Sequence, residues 1–355
     1  MSREERCARG GVDLPLQPYY RREHGAAYLG DALDLINALP DASVNLVLTS
    51  PPFALTRKKE YGNESADHYI EWFLPFAREF KRVLAEDGSF VLDLGGAYLP
   101  GRPVRSIYQF ALLVQLCKEI GFKLAQEFFH YNPARLPSPA EWVNVRRIRV
   151  KDAVNVVWWL AKCDNPKADN RKVLKPYSDS MKGLLKNGYT PGQRPSGWDI
   201  SEKFRKNNNG AIPPNVVPLE TLNLLTIANT ESNSAYLRRC AAAKIKPHPA
   251  RFAQSFAEFF VKFLTDEEDL VLDPFAGSNT TGYVAEALNR KWLAFELKKE
   301  YLEGSKYRFE EVRDLFSELE TEAKPNGTTP TPETVREQSP QPSASVSPQA
   351  SLGLP

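Results

Sequence analysis

The feature that most constrains the fold is a regular alternation of strand-like apolar runs with amphipathic helical segments. The run "AAYLGDALDLINALPDASVNLVLTSPPF", residues 26–53, fits a strand, a helix and a second strand. Residues 69–98 fit a helix, a turn at Asp87-Gly88 and a strand, and residues 269–312 fit a strand, a glycine loop, a helix, a strand and a helix. Such alternation is typical of an α/β sheet with helices packed on it.

The composition agrees with a globular protein that has a large core. The chain has 355 residues, of which 42% are hydrophobic and 25% are charged. No apolar run approaches the ~20 residues needed to cross a bilayer, and the first residues lack the apolar core of a secretory signal. We therefore expect a cytoplasmic protein that does not contact membranes.

The cysteines and histidines do not form a metal-binding pattern. Only four histidines are present, and the cysteines lack CxxC spacing. The four cysteines are Cys7, Cys117, Cys163 and Cys240. We predict neither a metal site nor a disulfide framework.

Three segments depart from the alternating pattern. The first 25 residues are expected to be flexible, as chain ends often are. Residues 321–355 are rich in Pro, Ser and Thr, a composition that predicts a disordered tail. From residue 166 to about residue 240 the periodicity fades and Gly, Asn, Pro and basic residues dominate. An irregular insert of this length is uncommon in a compact domain unless it binds something.

A glycine loop late in the sequence has the features of a nucleoside site. In "LVLDPFAGSNTTGYVAEAL" an apolar strand ends at Asp273, and a loop with Gly277 and Gly282 leads into a helix. Glycines let a backbone approach a ligand, and a helix N-terminus presents free N–H groups. The spacing matches neither the dinucleotide nor the phosphate-binding glycine motif. The next strand ends on Glu296, whose carboxylate can accept hydrogen bonds from two ribose hydroxyls. A nucleoside with a small zwitterionic appendage fits this pattern. The alternative is a plain turn followed by a solvated acid.

The motif Ser50-Pro51-Pro52-Phe53 follows an apolar strand early in the chain. Each proline fixes its own φ and lacks an N–H group, so the segment is stiff and its carbonyls are free to accept hydrogen bonds. Stiff acceptors beside a hydroxyl and an aromatic ring suit a planar base with an exocyclic amine, which must first leave the duplex. The alternative is that the two prolines only end the strand.

Together the two motifs resemble those of S-adenosylmethionine-dependent amino methyltransferases that act on DNA. "SPPF" resembles the catalytic motif of that family, and "DPFAGSNTTG" resembles its cofactor loop. The order, with the catalytic motif early, is similar to that of the permuted beta group. The resemblance runs from about residue 28 to residue 312. It implies an α/β, Rossmann-like methyltransferase fold with permuted motif order and an inserted target-recognition region.

The resemblance also divides the chain and assigns roles to residues. It implies a catalytic part at 26–165, a target-recognition region at 166–240 and a cofactor-binding part at 241–320. The target-base pocket would consist of Ser50, Pro51, Pro52 and Phe53. The cofactor, S-adenosyl-L-methionine, would contact Asp31, Phe252, Asp273, Phe275, Gly277, Ser278 and Glu296. Asp31 matches an acidic residue near the cofactor adenine, although by itself it is equally a helix N-cap.

The positive charge of the chain is concentrated in one stretch. Residues 135–175 contain ten Lys or Arg residues and four acids, a local excess of +6. Clustered cations are typical of nucleic-acid enzymes, because they contact phosphates and base edges. The predicted contacts to double-stranded DNA are Arg135, Arg146, Arg147, Arg149 and Lys151. The alternative is a solvated cationic face.

The residues also favour one methylation chemistry. Methylation at cytosine C5 needs a thiolate nucleophile, and none of the four cysteines lies in a constrained Pro-Cys motif. In the family, Ser before Pro-Pro is typical of N4-cytosine enzymes, whereas Asp or Asn is typical of N6-adenine enzymes. We predict N4-cytosine methylation, with N6-adenine as the rival. If the resemblance extends to specificity, the target is CAGCTG, and a cognate restriction endonuclease would act on the same site without a stable complex.

Two other classes of function remain as alternatives. A catalytically inert DNA-binding regulator would keep the fold but would need neither motif. A small-molecule methyltransferase would not need the long basic insert.

Overall fold

The computed structural model describes most of the chain up to residue 309. The described residues are 14, 16–54, 62, 64–132, 135–188, 195, 197, 206–217, 231–251 and 253–309, without the side chains of 231–235. Residues 1–310 belong to one compact unit. A second unit, 311–355, lies outside the described residues, and so does the predicted disordered tail at 321–355.

The strands of the described residues form one mixed sheet. In chain order they are β1 (Tyr20–Arg21), β2 (Gly25–Leu29), β3 (Val44–Thr49), β4 (Leu84–Leu94), β5 (Lys123–Tyr131), β6 (Val154–Ala161), β7 (Val216–Val217), β8 (Leu270–Asp273) and β9 (Lys291–Glu296). Their order across the sheet is β1-β2-β9-β8-β3-β4-β6-β5-β7. The five strands from β2 to β4 in this order are parallel, and β6 is antiparallel to both β4 and β5. The carboxyl ends of β2, β3, β4, β5, β8 and β9 therefore meet at one edge.

Helices cover both faces of the sheet. In chain order the α-helices are α1 (Ala32–Asn37), α2 (Tyr69–Val83), α3 (Tyr108–Lys118), α4 (Asp179–Asn187), α5 (Glu231–Ala242), α6 (Gln254–Leu264), α7 (Thr280–Ala287) and α8 (Lys299–Ser305). Helices α1, α2 and α3 pack on one face, where Val47 of β3 is buried. Helices α6 and α7 pack on the other face, where Leu46 and Leu48 of the same strand are buried. The middle of β3, residues 46–48, is apolar because both of its faces lie in the core.

Aromatic side chains build much of the core between α2 and the sheet. Phe73, Phe76 and Phe80 lie one helical turn apart, and their rings form a chain of contacts with centroids 6.1–6.5 Å apart. Phe80 also packs on Phe90 of β4, at 5.1 Å between ring centroids. This packing fixes α2 beside β4, one of the strands whose carboxyl ends meet at the common edge.

The structure departs from the sequence pattern at three places. The N-terminus predicted to be flexible contains β1, where Tyr20 hydrogen-bonds Ser305. Strand β4 begins at Leu84 rather than after Asp87-Gly88, with an irregular register before Ser89. The insert at 166–240 contains α4, β7 and most of α5. Within the part of the chain that the structure describes, no helix is both long and apolar enough to cross a membrane.

Candidate active site

The converging carboxyl ends of the parallel strands line a cavity of about 610 Å³. This edge is where α/β sheets of open topology bind their ligands. The lining comes from segments far apart in sequence: the start of α1, the residues after β3, the facing ends of β4, β5 and β6, residues 248–251, the loop after β8, and the end of β9. The motif after β3 and the glycine loop after β8 therefore face the same cavity.

The residues Ser50, Pro51, Pro52 and Phe53 all line this cavity. Pro51 is buried, and the other three are half-buried. A Cβ on Gly95 would lie 2.5 Å from Cε2 of Phe53, so the ring lies against the Gly95 backbone and only glycine permits the contact. The phenyl ring is thereby held in place at the end of β4.

Asp273 connects the two motifs beneath the cavity. Its carboxylate accepts hydrogen bonds from the Thr49 hydroxyl at 2.8 Å and from the Thr281 hydroxyl at 2.7 Å. The Phe275 N–H donates to it at 3.2 Å. Burial raises the pKa of Asp273 to about 6, although these three hydrogen bonds oppose the rise. Asp273, predicted to line the cofactor, is absent from the described cavity wall and instead ties β3 to the glycine loop.

Another part of the cavity lining, the Glu296 wall, consists of Glu296 and Gly277. The Glu296 carboxylate accepts hydrogen bonds from the N–H groups of Gly277 at 2.9 Å and Lys298 at 2.8 Å. Burial is the main cause of the raised pKa of Glu296. Gly277 has φ +53°, and a Cβ there would lie 3.1 Å from the His248 ring. Burial lowers the pKa of His248 to about 4, so a neutral imidazole contacts the loop.

Ser278 and Phe275, two more of the predicted cofactor residues, are held in position by neighbouring side chains. The Ser278 hydroxyl accepts a hydrogen bond at 2.8 Å from Arg308, and its carbonyl accepts another at 2.6 Å from the same guanidinium. The Phe275 ring packs on Phe76 at 5.2 Å and on Trp72 at 5.8 Å between centroids. Both Ser278 and Phe275 line the cavity.

Asp31 is both a helix N-cap and part of the cavity lining. Its carboxylate caps α1 by accepting from the N–H groups of Leu33 at 2.8 Å and Asp34 at 3.4 Å, and the residue also lines the cavity. Phe252, the other predicted cofactor contact, lies outside the described residues.

The cavity contains a buried acid and histidine that the sequence reasoning missed. Nδ1 of His130 lies 3.1 Å from Oδ2 of Asp93, and both side chains are less than a tenth exposed. Among the described residues, Oδ1 of Asp93 has no hydrogen-bond partner. The available signal was an acid at the end of a strand in "FVLDLGG", which is the position that made Asp273 and Glu296 candidates.

The predicted DNA contacts separate into two groups. Arg135 lines the cavity and is half-buried. The other four, Arg146, Arg147, Arg149 and Lys151, are exposed on the segment before β6. Arg146 lies 5.2 Å from the centre of the Trp142 ring, and Arg149 donates to the Pro103 carbonyl at 2.8 Å. The basic segment therefore presents its charge beside the cavity that Arg135 enters.

This fold and site define a DNA methyltransferase. The chain belongs to the N6/N4 DNA methylase family, whose model matches residues 44–307. It is an enzyme whose methyl donor is S-adenosylmethionine. The α/β methyltransferase fold expected from the sequence is thus confirmed.

Relatives of known type extend over most of the chain. It is 51% identical over 313 residues to the type II methyltransferase M.PvuII of Proteus hauseri, covering 85% of this chain and 91% of the relative. It is 25% identical to M.ScaI of Streptomyces caespitosus, over 84% and 86% of the two chains. The solved PvuII DNA methyltransferase, named as cytosine-N4-specific, superposes with a TM-score of 0.68 at 44% identity and covers 87% of this chain and 95% of the other.

The charged residues that line the cavity suit S-adenosylmethionine. Of the described residues that line it, four are acids, two are arginines and none is lysine. The four acids are Asp31, Glu64, Asp93 and Glu296. An acidic wall suits a ligand that carries a sulfonium and an ammonium and has no phosphate. Because Gly277 has no side chain, the loop backbone is accessible to such a ligand.

Proposed function

We propose that this enzyme methylates the N4 amine of a cytosine that has left the DNA duplex. The supporting observation is that Ser50-Pro51-Pro52-Phe53 and the Glu296 wall face one cavity. The similarity to M.PvuII and to a structure named as cytosine-N4-specific favours the same acceptor here. The serine before Pro-Pro favours N4-cytosine over N6-adenine, the rival acceptor within the same family.

The target amine would be held by the stiff segment after β3. The Ser50 hydroxyl and a backbone carbonyl of the segment accept the two amine hydrogens, and Phe53 stacks on the pyrimidine. Hydrogen bonds in this direction pull the nitrogen lone pair out of conjugation and aim it across the cavity. Bound S-adenosylmethionine supplies an electrophilic methyl group. Positioning and oriented acceptors then provide most of the rate enhancement.

The proton would leave after methyl transfer. A serine hydroxyl is a weak base, whereas the newly methylated amine is strongly acidic. Asp93 lies in the same cavity with one carboxylate oxygen unpaired among the described residues. We therefore propose Asp93, oriented by His130 at 3.1 Å, as the group that receives the proton.

The cofactor would be held on the opposite side of the cavity. Glu296 would accept hydrogen bonds from the ribose hydroxyls, as carboxylates at strand ends do in nucleotide sites. Asp31, Phe275, Gly277 and Ser278 would complete this side. The predicted contact at Phe252 belongs to the same proposal.

The recognition site and the biological role are further parts of the proposal. The similarity to M.PvuII favours CAGCTG as the target and a role as the modification enzyme of a restriction-modification system. The cognate endonuclease would act on the same site without forming a stable complex. Residues 166–240 would supply base-edge contacts, and the basic segment before β6 would contact phosphates.

One assay tests the acceptor. The protein is incubated with methyl-labelled S-adenosylmethionine and duplexes that contain CAGCTG or its isomer CACGTG, and the DNA is digested to nucleosides. Labelled N4-methylcytosine from the first duplex alone is the expected result. Labelled N6-methyladenine selects the rival acceptor. Absence of label from both duplexes contradicts enzymatic action on this target and favours an inert DNA-binding protein.

A further inference from the structure

Arg135 differs from the other predicted DNA contacts in lying inside the cavity. It lines the cavity wall, whereas Arg146, Arg147, Arg149 and Lys151 are exposed and do not line it. A half-buried guanidinium among acids and aromatic rings is poorly placed to reach a duplex phosphate. It is better placed to contact whatever enters the cavity.

The Arg135 head group is held next to the Phe53 ring. Its Nη1 donates to Oδ1 of Asn155 at 3.0 Å. The Cβ position of Gly95 lies 3.2 Å from that same Oδ1 and 2.5 Å from Cε2 of Phe53. The amide of Asn155 and the phenyl ring thus meet over one glycine, and the guanidinium lies just beyond. The backbone of Arg135 is fixed too, because its N–H donates to the Asn132 carbonyl at 3.2 Å.

Most of the hydrogen-bonding capacity of Arg135 is unused. A guanidinium carries five N–H donors. Within the part of the chain that the structure describes, Asn155 is the acceptor for its side chain, and no carboxylate forms an ion pair with it. None of the remaining Arg135 donors is among the buried unsatisfied atoms of the described residues, so they are accessible from the cavity that Arg135 lines. The cavity is therefore prepared for a ligand that brings acceptors to the Phe53 ring.

Cytosine and adenine differ in the number of acceptors that they could offer to Arg135. The pairing edge of cytosine carries an amine beside two acceptors, N3 and O2. The pairing edge of adenine carries an amine beside one acceptor, N1, and then a C–H group. Enzymes that extrude a base read it through hydrogen bonds to this edge. A guanidinium beside the stacked ring can donate to both cytosine acceptors but would face a C–H group on adenine.

We propose that Arg135, oriented by Asn155, donates to O2 and N3 of the extruded cytosine and so selects cytosine over adenine. The inference rests on the proposed function and deepens it. Sites built to hydrogen-bond a substrate group reject analogues that lack it, because the site's own polar groups are then left unpaired. Arg135 would thus be a specificity residue of the base pocket.

The test removes the O2 atom and the arginine separately and together. Single-turnover methyl transfer is measured on a CAGCTG duplex and on one whose target cytosine is replaced by a 2-aminopyridine C-nucleoside, which keeps the amine and ring nitrogen but lacks O2. The rate ratio between the two duplexes is compared for wild type and Arg135→Met. Comparing ratios cancels the different intrinsic reactivity of the analogue.

The wild-type ratio is expected to exceed the Arg135→Met ratio by about ten-fold, the size of a good base-edge contact. Arg78→Met removes the same charge from an exposed position on α2, outside the described cavity wall and the basic segment, and should keep the wild-type ratio. Arg135→Lys keeps the positive charge but has fewer donors. Its ratio should fall between those of wild type and Arg135→Met. If Arg135→Met does not fold, Arg135→Lys takes its place in the comparison.

Two results would overturn the inference while leaving the proposed function intact. If both Arg135 variants keep the wild-type ratio, Arg135 does not contact O2. If Arg78→Met lowers the ratio equally, the effect is one of overall charge. A wild type that transfers no methyl to cytosine in the unmodified duplex refutes the proposed function, and the role of Arg135 with it. That result is distinct from an active wild type whose ratio is insensitive to Arg135.

Discussion

Asp273 is the residue whose charge state depends most directly on the fold. Its side chain is 2% exposed and sits under the active-site floor, where it accepts from Thr49 and Thr281. Burial disfavours the carboxylate more than these donors favour it, so its pKa rises from 3.8 to about 6. The folded protein therefore holds a proton at pH values where the unfolded chain has released it.

The sign of the resulting pH dependence follows from linkage. The stabilising effect of the proton on Asp273 is fully present below about pH 4 and is lost as pH rises through about 6. The full loss is about 3 kcal/mol, at 1.36 kcal/mol for each pKa unit. We expect Asp273→Asn to gain about that much relative to wild type between pH 4 and pH 7 in denaturant titrations. Asp87→Asn, at an exposed position, is the control. A difference between Asp273→Asn and wild type that is constant with pH would contradict this account.

Ser50 is the side chain most directly tied to the proposed chemistry. Removing one oriented hydrogen-bonding group from an active site typically costs about 10²-fold or more in turnover. We expect Ser50→Ala to lower kcat for methyl transfer by about that factor while the dissociation constant for S-adenosylmethionine stays unchanged. Ser255→Ala in α6, outside the described cavity wall, should keep wild-type turnover. Full turnover in Ser50→Ala would remove the hydroxyl from the mechanism.

At the scale of elements, the loop between β8 and α7 depends on its backbone conformation. Gly277 adopts φ +53° and packs against the His248 ring, while its N–H donates to Glu296. A side chain at this position would combine the strain of left-handed backbone with a contact at 3.1 Å. The loop can therefore keep its shape only with glycine here.

We expect Gly277→Ala to lower the free energy of unfolding by about 1–2 kcal/mol. It should also weaken S-adenosylmethionine binding by about ten-fold or more, measured by calorimetry. Gly183→Ala in α4 is the matched control, because no heavy atom lies within 4 Å of the added Cβ. That change should be neutral or stabilising by up to about 1 kcal/mol, since alanine favours helix. Equal binding of the cofactor by both variants would show that the loop tolerates a side chain.

At the scale of the whole molecule, the exposed cations of the basic segment before β6 lie at the edge of the sheet that carries the cavity. Arg146 and Arg147 are on the segment that leads into β6, at the edge of the sheet where the carboxyl ends of the parallel strands meet. Lys123 and Lys291 begin β5 and β9 at the opposite edge of the sheet. Under the proposed function, this segment would contact a duplex on the cavity side of the sheet.

This arrangement predicts the salt dependence of DNA binding. Each phosphate contact contributes about 0.9 to the slope of log K against log salt concentration. Replacing Arg146 and Arg147 with Gln should reduce the slope by about 2, measured by fluorescence anisotropy from 50 to 200 mM salt. The Lys123→Gln, Lys291→Gln pair should keep the wild-type slope. The same slope in both double variants would show that the basic segment does not contact phosphates.

The sequence predicted the fold class and the two motifs because their signals are local. Periodicity identified β3 and α2, and the rule that parallel strands end at one edge placed Ser50 near Glu296. The helix α4 was missed because it is only nine residues long and buries none of them, so it stands out little from the irregular segment around it. The Asp93–His130 pair was missed for a different reason. The two residues lie on strands that both flank β6, and that adjacency depends on the strand order.

The hydrogen bond between Thr49 and Asp273 bears on the order in which the two sides of the cavity are synthesised. The two residues are 224 positions apart, and ribosomes add about 5–20 residues each second. For roughly 10–45 s after Thr49 is made, β3 lacks its neighbour β8, and the motif it carries has no cofactor wall opposite. Until β8 and the loop after it have been synthesised, the nascent chain therefore lacks the side of the cavity that is proposed to hold the methyl donor.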